Sequence, residues 1–162
     1  MYKEYDFLIK EIMENKEFNK LKKERHHGTN RLIHSKRVSY YSYRICKILR
    51  LDYISVARAG LLHDFFIYEQ DSTKWDRFKL IFTHPDHALE KSKQYFYLNE
   101  KEKNIINSHM FPINKNLPIY LESWIVSSVD KIIASYEFIE SFIIKNAYAP
   151  NLFLLLIINI FS

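Results

Sequence analysis

Apolar residues recur at intervals of three and four positions along most of the chain, which is the spacing of amphipathic helices. The first such run predicts a helix near the start of the chain and consists of Tyr5, Leu8, Ile9 and Ile12. A second helix is predicted from about residue 31 to residue 49. The apolar face predicted for this second helix consists of Val38, Tyr41, Ile45, Ile48 and Leu49.

Three later helices are predicted from the residues at their first turns. Asp52 is a typical N-cap and precedes an apolar run. Pro85 suits the first turn of a helix, because an amide hydrogen has no intrahelical partner there, and it places His84 at the very start of that helix. Asn99 and Glu102 have the spacing of a capping box, so they predict the start of another helix.

The last part of the chain predicts a longer helix from about residue 119 and an apolar final helix over residues 152–161. A run of about ten apolar residues is too short to span a membrane, which takes about 20. We expect the final helix to be buried in the core or in the interface of a homodimer, and a membrane-tethering tail is the alternative. Residues 22–30 and 67–77 lack a clear period and are predicted to be loops.

These elements predict an all-α fold. The 162 residues include two glycines and four prolines, which is little turn punctuation for an all-β sandwich or a glycine-rich nucleotide-binding fold. Neither an internal repeat nor a linker divides the sequence. We therefore expect one domain over residues 1–162.

The cysteine content and the charge exclude some classes of function and favour others. The single cysteine, Cys46, excludes an internal disulfide and a cysteine-ligated zinc site, and it favours a cytoplasmic location. The net charge of +5 originates in residues 1–50, which carry 13 Lys and Arg against 6 Asp and Glu. This basic patch favours either an anionic substrate or a solvated helix face, and specific nucleic-acid binding is not expected because no docking motif accompanies it. The patch consists of Lys20, Lys22, Lys23, Arg25, Arg31, Lys36 and Arg37.

Polar side chains with metal-binding chemistry occur inside apolar or sharply bounded helical segments. Burial of a carboxylate without a cation costs several kcal/mol, so a shared metal ion is the economical compensation for several such groups together. Imidazole nitrogens and carboxylate oxygens suit Fe, Mn, Co, Ni or Zn. The candidate ligands are His34, His63, Asp64, His84, His109 and Asp130.

The order of these residues resembles the H...HD...D pattern of the HD-domain metal-dependent phosphohydrolase superfamily. The adjacent pair His63 and Asp64 lies in AlaGlyLeuLeuHisAspPhe, and Asp130 lies in ValAspLysIleIle. The segments ThrHisProAspHisAla and IleIleAsnSerHisMetPhePro resemble the additional histidines of the dinuclear branch, as found in small stand-alone bacterial HD proteins. The resemblance covers about residues 26–138 and implies a bundle of about five core helices, with the N-terminal helix and the apolar C-terminal helix packed on it.

This resemblance implies roles for the candidate residues. His34, His63, Asp64 and Asp130 would bind one divalent metal ion, while His84 and His109 would bind a second. Asp64 would bridge the two ions, and a hydroxide between them would attack a phosphorus atom. His63 and Asp64 are therefore the expected catalytic residues, and Arg37, Lys131 and His87 are expected to contact the substrate phosphate.

The implied function is hydrolysis of a phosphoester or phosphoanhydride in a nucleotide or another small molecule. The nearest named activity is that of symmetrical diadenosine tetraphosphate hydrolases, which share the dinuclear pattern and a segment similar to ValAspLys. The cyclic-di-GMP-degrading branch is disfavoured, because the sequence lacks that branch's lysine after the HisAsp pair and its GlyTyrPro loop. Two alternatives remain open: a catalytically idle nucleotide-binding HD module and a di-iron oxygenase of the HD fold.

Overall fold

The computed structural model describes the backbone of residues 2–26, 29–67 and 74–160, and the side chains of residues 3–24, 30–67, 80 and 82–143. Over these residues the fold is all-α, as predicted, apart from one short β-hairpin. The hairpin pairs β1 (Arg25–His26) with β2 (Thr29–Asn30) in antiparallel register. The helices are α1 (Tyr2–Glu14), α2 (Lys16–Asn19), α3 (Arg31–Ile48), α4 (Tyr53–Leu62), α5 (Lys74–Tyr95), α6 (Glu100–Ser108) and α7 (Leu121–Ile160).

Side-chain caps fix the starts of four of these helices, and Asn15 caps the short α2. Asn30 Oδ1 accepts a hydrogen bond of 3.0 Å from the N–H three residues on and begins α3. Asp52 caps α4 in the same way, as predicted. Asn99 and Glu102 form the predicted capping box of α6, in which each side chain accepts from the backbone N–H of the other residue. Each cap satisfies donors that would otherwise lack a partner at the helix start.

The core is built on the packed pair α3 and α4, against which α1, α6 and α7 also pack. Helices α3 and α4 approach so closely that a Cβ atom on Gly60 would lie 3.0 Å from the Cα atom of Ser39. The hydroxyl of Ser39 donates to Ala57 O at 2.6 Å and accepts from the hydroxyl of Tyr5 at 2.8 Å. Small residues are therefore needed where these two helices cross. They allow α3 and α4, which position several of the candidate metal ligands, to pack closely together.

The apolar face predicted for α3 was wrong except at Val38, which is buried. Tyr41, Ile48 and Leu49 are exposed, and Ile45 is 38% exposed. The buried face instead includes many polar residues, and α4 approaches it most closely at Ser39. Besides Val38, its members are Arg31, Leu32, His34, Ser35, Ser39, Ser42, Tyr43 and Cys46.

The prediction for Pro85 was also wrong, because α5 begins at Lys74 and Pro85 lies inside it. Proline removes one backbone hydrogen bond from a helix interior, at a cost of about 3 kcal/mol. Pro85 and Ala88 are both buried, so packing of this face offsets that cost. His84 is consequently a mid-helix residue rather than the first residue of a helix.

The two predicted loops are wrong over most of their described residues, and only residues 24 and 67 are irregular there. The segment 22–30 contains the end of a 3-10 turn (Lys20–Lys23) and the β-hairpin, while residues 27–28 lie outside the described residues. Residues 68–73 of the second loop also lie outside them, and 74–77 are helical.

The apolar end of the sequence does not form a separate helix, because the α7 backbone continues from residue 121 to residue 160. The side chains of residues 144–162 lie outside the described residues, so the expected burial of residues 152–161 stays a prediction. Among the helices of the described part, none combines the length and apolar character that crossing a membrane requires.

Candidate metal centre

The side chains predicted to bind metal ions converge from five helices. One comes from α3, two from the turn immediately after α4, one from α5, one from the residue after α6 and one from α7. All are buried except the α5 histidine, whose side chain is 11% exposed. The cluster consists of His34, His63, Asp64, His84, His109 and Asp130.

Three ligand atoms form a triangle on one side of this cluster. His84 Nε2 lies 3.0 Å from His109 Nε2, and Asp64 Oδ1 lies 3.4 Å from the first nitrogen and 3.7 Å from the second. Two ligands bound at about 2.1 Å and about 90° to each other on one ion would be about 3.0 Å apart. The triangle therefore has dimensions suited to three ligands of one metal ion.

A second set of atoms lies on the other side of Asp64. Asp130 Oδ1 is 2.9 Å from His34 Nε2 and 3.4 Å from His63 Nε2. Asp64 Oδ2 is 4.0 Å from His63 Nε2. Asp64 thus turns one carboxylate oxygen to each set of histidines.

Backbone carbonyls orient three of the four imidazoles. His63 Nδ1 donates to Gly60 O at 2.8 Å, and His109 Nδ1 donates to Ile106 O at 2.7 Å. Both histidines immediately follow a helix, where the last carbonyls lack an intrahelical partner. His84 Nδ1 donates to the carbonyl of residue 80, one turn back in α5. Because each Nδ1 carries the hydrogen, each Nε2 presents its lone pair to the cluster.

The donor atoms are arranged so that they fit a cation. His63 Nε2 is buried and forms no hydrogen bond with any described residue, although Asp130 Oδ1 lies 3.4 Å away. The facing Nε2 lone pairs of His84 and His109 repel one another at 3.0 Å unless a proton or a metal ion lies near both. Nitrogen and carboxylate ligands without thiolates match Fe, Mn, Co, Ni and Zn. The residues therefore fit the predicted class of divalent metal ion.

The HD domain family matches residues 31–135, a segment that contains every side chain of the cluster. The chain belongs to the HD domain family. Neither the curated proteins nor the solved structures give a match. The predicted family is confirmed, and the HD domain belongs to a superfamily of metal-dependent phosphohydrolases.

Opposing effects set the pKa values in this HD domain. Burial lowers the pKa of His34, but hydrogen bonds to Asp130 and Glu137 outweigh burial and raise it to about 10. Burial and the neighbouring His63 lower the pKa of His109 to about 3. Burial raises the pKa of Asp130, but contacts with the histidines outweigh this and hold it well below its ordinary value. Asp130 is therefore ionised and His109 neutral, which are the forms that bind metal ions.

Arg31 is a part of the site that the sequence analysis assigned wrongly to the basic surface patch. It is fully buried, with its Nε 3.7 Å from Asp64 Oδ2. Its Nη1 donates to Phe66 O at 2.7 Å, and its guanidinium lies 3.9 Å from the centre of the Phe66 ring. Its position three residues before His34, on the same face of α3, could have indicated this location.

Glu137 is the other residue of the site that sequence reasoning missed. It is 2% exposed, and its Oε2 accepts a hydrogen bond of 2.8 Å from His34 Nδ1. A glutamate in the helical sequence SerTyrGluPheIle carries no motif, so its only available signal was its spacing of seven residues from Asp130.

The residues predicted to contact phosphate have different surroundings. Arg37 Nη1 donates to Glu137 Oε1 at 2.9 Å. Lys131 Nζ donates to His109 O, Ser127 O and Ser127 Oγ at 2.9, 3.1 and 2.7 Å, so protein oxygens engage all three of its hydrogens. His87 is exposed on α5. Contact of these three residues with a substrate stays a prediction.

Proposed function

We propose that this HD domain hydrolyses a phosphoester or phosphoanhydride bond in a nucleotide or another small molecule, with two divalent metal ions as cofactors. His34, His63 and Asp130 would hold one ion, and His84 and His109 would hold the second. Asp64 would contact both. When bound, such ions supply Lewis acidity, which makes water a nucleophile near neutral pH and polarises phosphoryl oxygens.

The opposite orientation of the two Asp64 oxygens carries this proposal. Oδ1 faces His84 and His109, while Oδ2 faces His63 and the guanidinium of Arg31. A carboxylate that served a single ion would not need histidines on both of its sides. This arrangement favours a site for two ions, which is suited to in-line displacement at phosphorus.

The protein's own residues position and shield the site. Arg31 holds Asp64 from the side of α3 and adds positive charge where a phosphate would bring negative charge. The buried Phe66 ring lies 5.2 Å from the His84 ring and restricts access of water to that side. Lys131, bonded to the carbonyl of His109, would stabilise the turn that presents this histidine.

The distribution of surface charge supports an anionic substrate. Lys20, Lys22, Lys23 and Lys36 are exposed in the basic N-terminal part of the chain. A positive surface raises the encounter rate of anions, and this contribution weakens as salt screens it. Arg37 and His87 are the further side chains that we propose to meet the substrate phosphate.

The test combines metal analysis with a hydrolysis assay. Metal-free protein is loaded with Mn²⁺ or Fe²⁺ and assayed on nucleotides and a generic phosphodiester, beside Asp64→Asn. The matched control is Asp6→Asn, the same substitution at an exposed position of α1. We expect two ions per chain in the parent and in Asp6→Asn, and a loss of at least about 100-fold in kcat for Asp64→Asn.

Three results would reject the proposal. Equal turnover by Asp64→Asn and the parent would exclude a role for the carboxylate. Binding of metal and nucleotide without turnover would favour the idle module. Consumption of oxygen that depends on Fe²⁺, without release of phosphate, would favour the oxygenase.

A further inference from the structure

We propose that Glu137 is a positioning residue of the metal centre, which fixes the orientation and tautomer of His34 and raises its strength as a ligand. This inference rests on the proposed function only in requiring that the site bind a metal ion. It adds a residue outside the segment that matches the HD family, because Glu137 lies two positions beyond residue 135.

Two acidic residues of α7 lie on opposite sides of the His34 ring, one beside each ring nitrogen. Asp130 Oδ1 lies 2.9 Å from Nε2, and Glu137 Oε2 lies 2.8 Å from Nδ1. Seven residues make almost two helical turns, so both acids lie on one face of α7. The ring is completely buried, and each of its two nitrogens faces one of these acids.

His34 differs from the other histidines of the cluster in the acceptor that its Nδ1 meets. Those of His63, His84 and His109 meet neutral backbone carbonyls, whereas that of His34 meets a carboxylate. A charged acceptor forms a stronger hydrogen bond and makes the imidazole a more basic ligand. Glu137 thus supplies a second carboxylate beside His34, in addition to Asp130, and this carboxylate raises the affinity of His34 for a metal ion.

A cation holds the Glu137 carboxylate in place. Arg37 Nη1 donates to Glu137 Oε1 at 2.9 Å and lies 3.9 Å from a carboxylate oxygen of Glu140. Glu137 is buried, while the Glu140 side chain is 42% exposed. Arg37 therefore links the surface to Glu137 and His34, which gives it a structural role in addition to the proposed phosphate contact.

The experiment compares Glu137→Gln with Glu140→Gln, the same substitution one turn further along α7. Mn²⁺ is titrated into each metal-free protein, and the free ion is measured by electron paramagnetic resonance. We expect Mn²⁺ affinity to fall 10- to 100-fold in Glu137→Gln and to stay within twofold of the parent in Glu140→Gln. The proton NMR spectrum of the metal-free protein provides a second readout, because the downfield Nδ1–H signal of His34 should shift only in Glu137→Gln.

The outcomes separate this inference from the proposed function. Equal Mn²⁺ affinity of Glu137→Gln and the parent would overturn the role of Glu137, even if the parent hydrolyses phosphoesters. An equal loss of affinity in Glu140→Gln would assign the effect to surface charge and would also overturn it. A weaker Mn²⁺ site in Glu137→Gln alone would support the role, even if no phosphoester is hydrolysed.

A second inference comes from an apolar face of α7, which we call the exposed α7 face. Its side chains are 55–66% exposed. Most of them lie on the side of α7 opposite Asp130 and Glu137, and Phe138 lies at the edge of this face. Four of them follow steps of four, three and four residues, which is the spacing of a helix-packing seam. The face consists of Ile132, Tyr136, Phe138, Ile139, Phe142 and Ile143.

We infer that a second copy of this chain covers the exposed α7 face. Aromatic and branched aliphatic side chains at these exposures present on the order of 100 Å² each, so the six side chains of the face offer roughly 600 Å². A stable interface buries about 800 Å² per partner, and apolar patches of this size mark interaction sites. The face contains no charged side chain, and a twofold axis would pair it with itself.

The oligomeric state of the full chain tests this inference. We expect the parent to be a dimer by sedimentation equilibrium, and Ile139→Glu to weaken its association at least about 100-fold, because the charge would be buried at the seam. Ile119→Glu is the matched control, since Ile119 is also exposed and lies outside the exposed α7 face. A monomeric parent, or a dimer that survives Ile139→Glu, would overturn the inference. Association of a monomeric parent with phosphatidylcholine vesicles would show that a membrane is the occupant instead.

Discussion

This HD domain contains two clusters of buried charged groups, and the charges are compensated differently in each. The first lies where α4 meets the start of α6. There, Glu102 Oε1 accepts from Arg58 Nε at 2.8 Å, and Oε2 accepts from Asn99 N at 2.9 Å. Arg58 also donates to Glu11 and to Tyr97 O. Both oxygens of the buried Glu102 carboxylate therefore have partners within the protein.

The metal centre is the second cluster, and its charges are not balanced in this way. Within the described part of the chain, His63 Nε2 has no hydrogen-bond partner, and the lone pairs of His84 and His109 face each other. Against the effect of burial, hydrogen bonds to Asp130 and Glu137 raise the pKa of His34 to about 10, so this imidazole binds a proton where no metal ion is bound. A cluster that serves stability satisfies its own groups, whereas a binding site leaves ligand atoms for an external partner. The two clusters should therefore respond oppositely to mutation and to metal ions.

The largest effect on stability is expected at the first cluster. Arg58→Met would leave the Glu102 carboxylate, whose side chain is 4% exposed, without its cation. Loss of one partner of a buried ion pair costs about 3 kcal/mol or more of the free energy of unfolding. Urea denaturation measures this loss, and it should be the same in chelator and in excess Mn²⁺. A variant as stable as the parent would show that Glu102 relies on its backbone partner alone.

Removal of metal ions should have the next largest effect and should act on the second cluster. A ligand that binds the folded state at 100 times its Kd stabilises it by about 2.7 kcal/mol. Thermal unfolding of the parent should therefore begin about 5–10 °C lower in EDTA than in Mn²⁺ at that excess. Arg58→Met serves as the control and should retain the same difference. Identical midpoints with and without Mn²⁺ would contradict the contrast between the clusters.

A smaller effect is expected when the capping box beside Glu102 is broken. Asn99→Ala removes the acceptor of the Glu102 N–H and the hydrogen bond that Asn99 Nδ2 donates to Ser55 Oγ. Loss of an N-cap side chain costs about 1 kcal/mol. Urea denaturation should show this decrease, and Mn²⁺ affinity should not change. A large change in Mn²⁺ affinity would mean that the two clusters are coupled through α6.

The candidate ligands, which the structure brings together, were easier to predict from the sequence than the helix faces around them. His63 and Asp64 were identifiable because polar groups in an apolar run need a reason to be there. The α3 face was predicted from the size of its apolar residues, and this failed because the crossing at Ser39 and Gly60 requires small ones. Apolar periodicity does not report how closely two helices approach.

Long-range partners were beyond the reach of sequence patterns. Glu137 contacts a histidine 103 positions earlier, and only its spacing of seven residues from Asp130 distinguishes it from Glu140 in the sequence. Arg31 was assigned to the surface because a cation in a basic segment is usually solvated. Pro85 was assigned to a helix start by the same kind of local preference, which packing of α5 overrode. Each failure occurred where contacts with another helix decide the outcome.

The smallest change in the free energy of unfolding is expected for His84→Gln in the absence of metal ions. This variant separates the two clusters most clearly. The substitution removes the hydrogen bond to Leu80 O, worth about 1 kcal/mol, but it also removes a lone pair that faces His109. These effects oppose each other, so the free energy of unfolding in EDTA should stay within about 1 kcal/mol of the parent value. In Mn²⁺, the same variant should lose most of the metal-dependent stabilisation, because one ligand of the Asp64, His84 and His109 triangle is missing. Urea denaturation in both conditions measures the difference. A large loss of stability in EDTA would mean that His84 supports the fold in the way that Arg58 does, and the distinction between the clusters would not extend to α5.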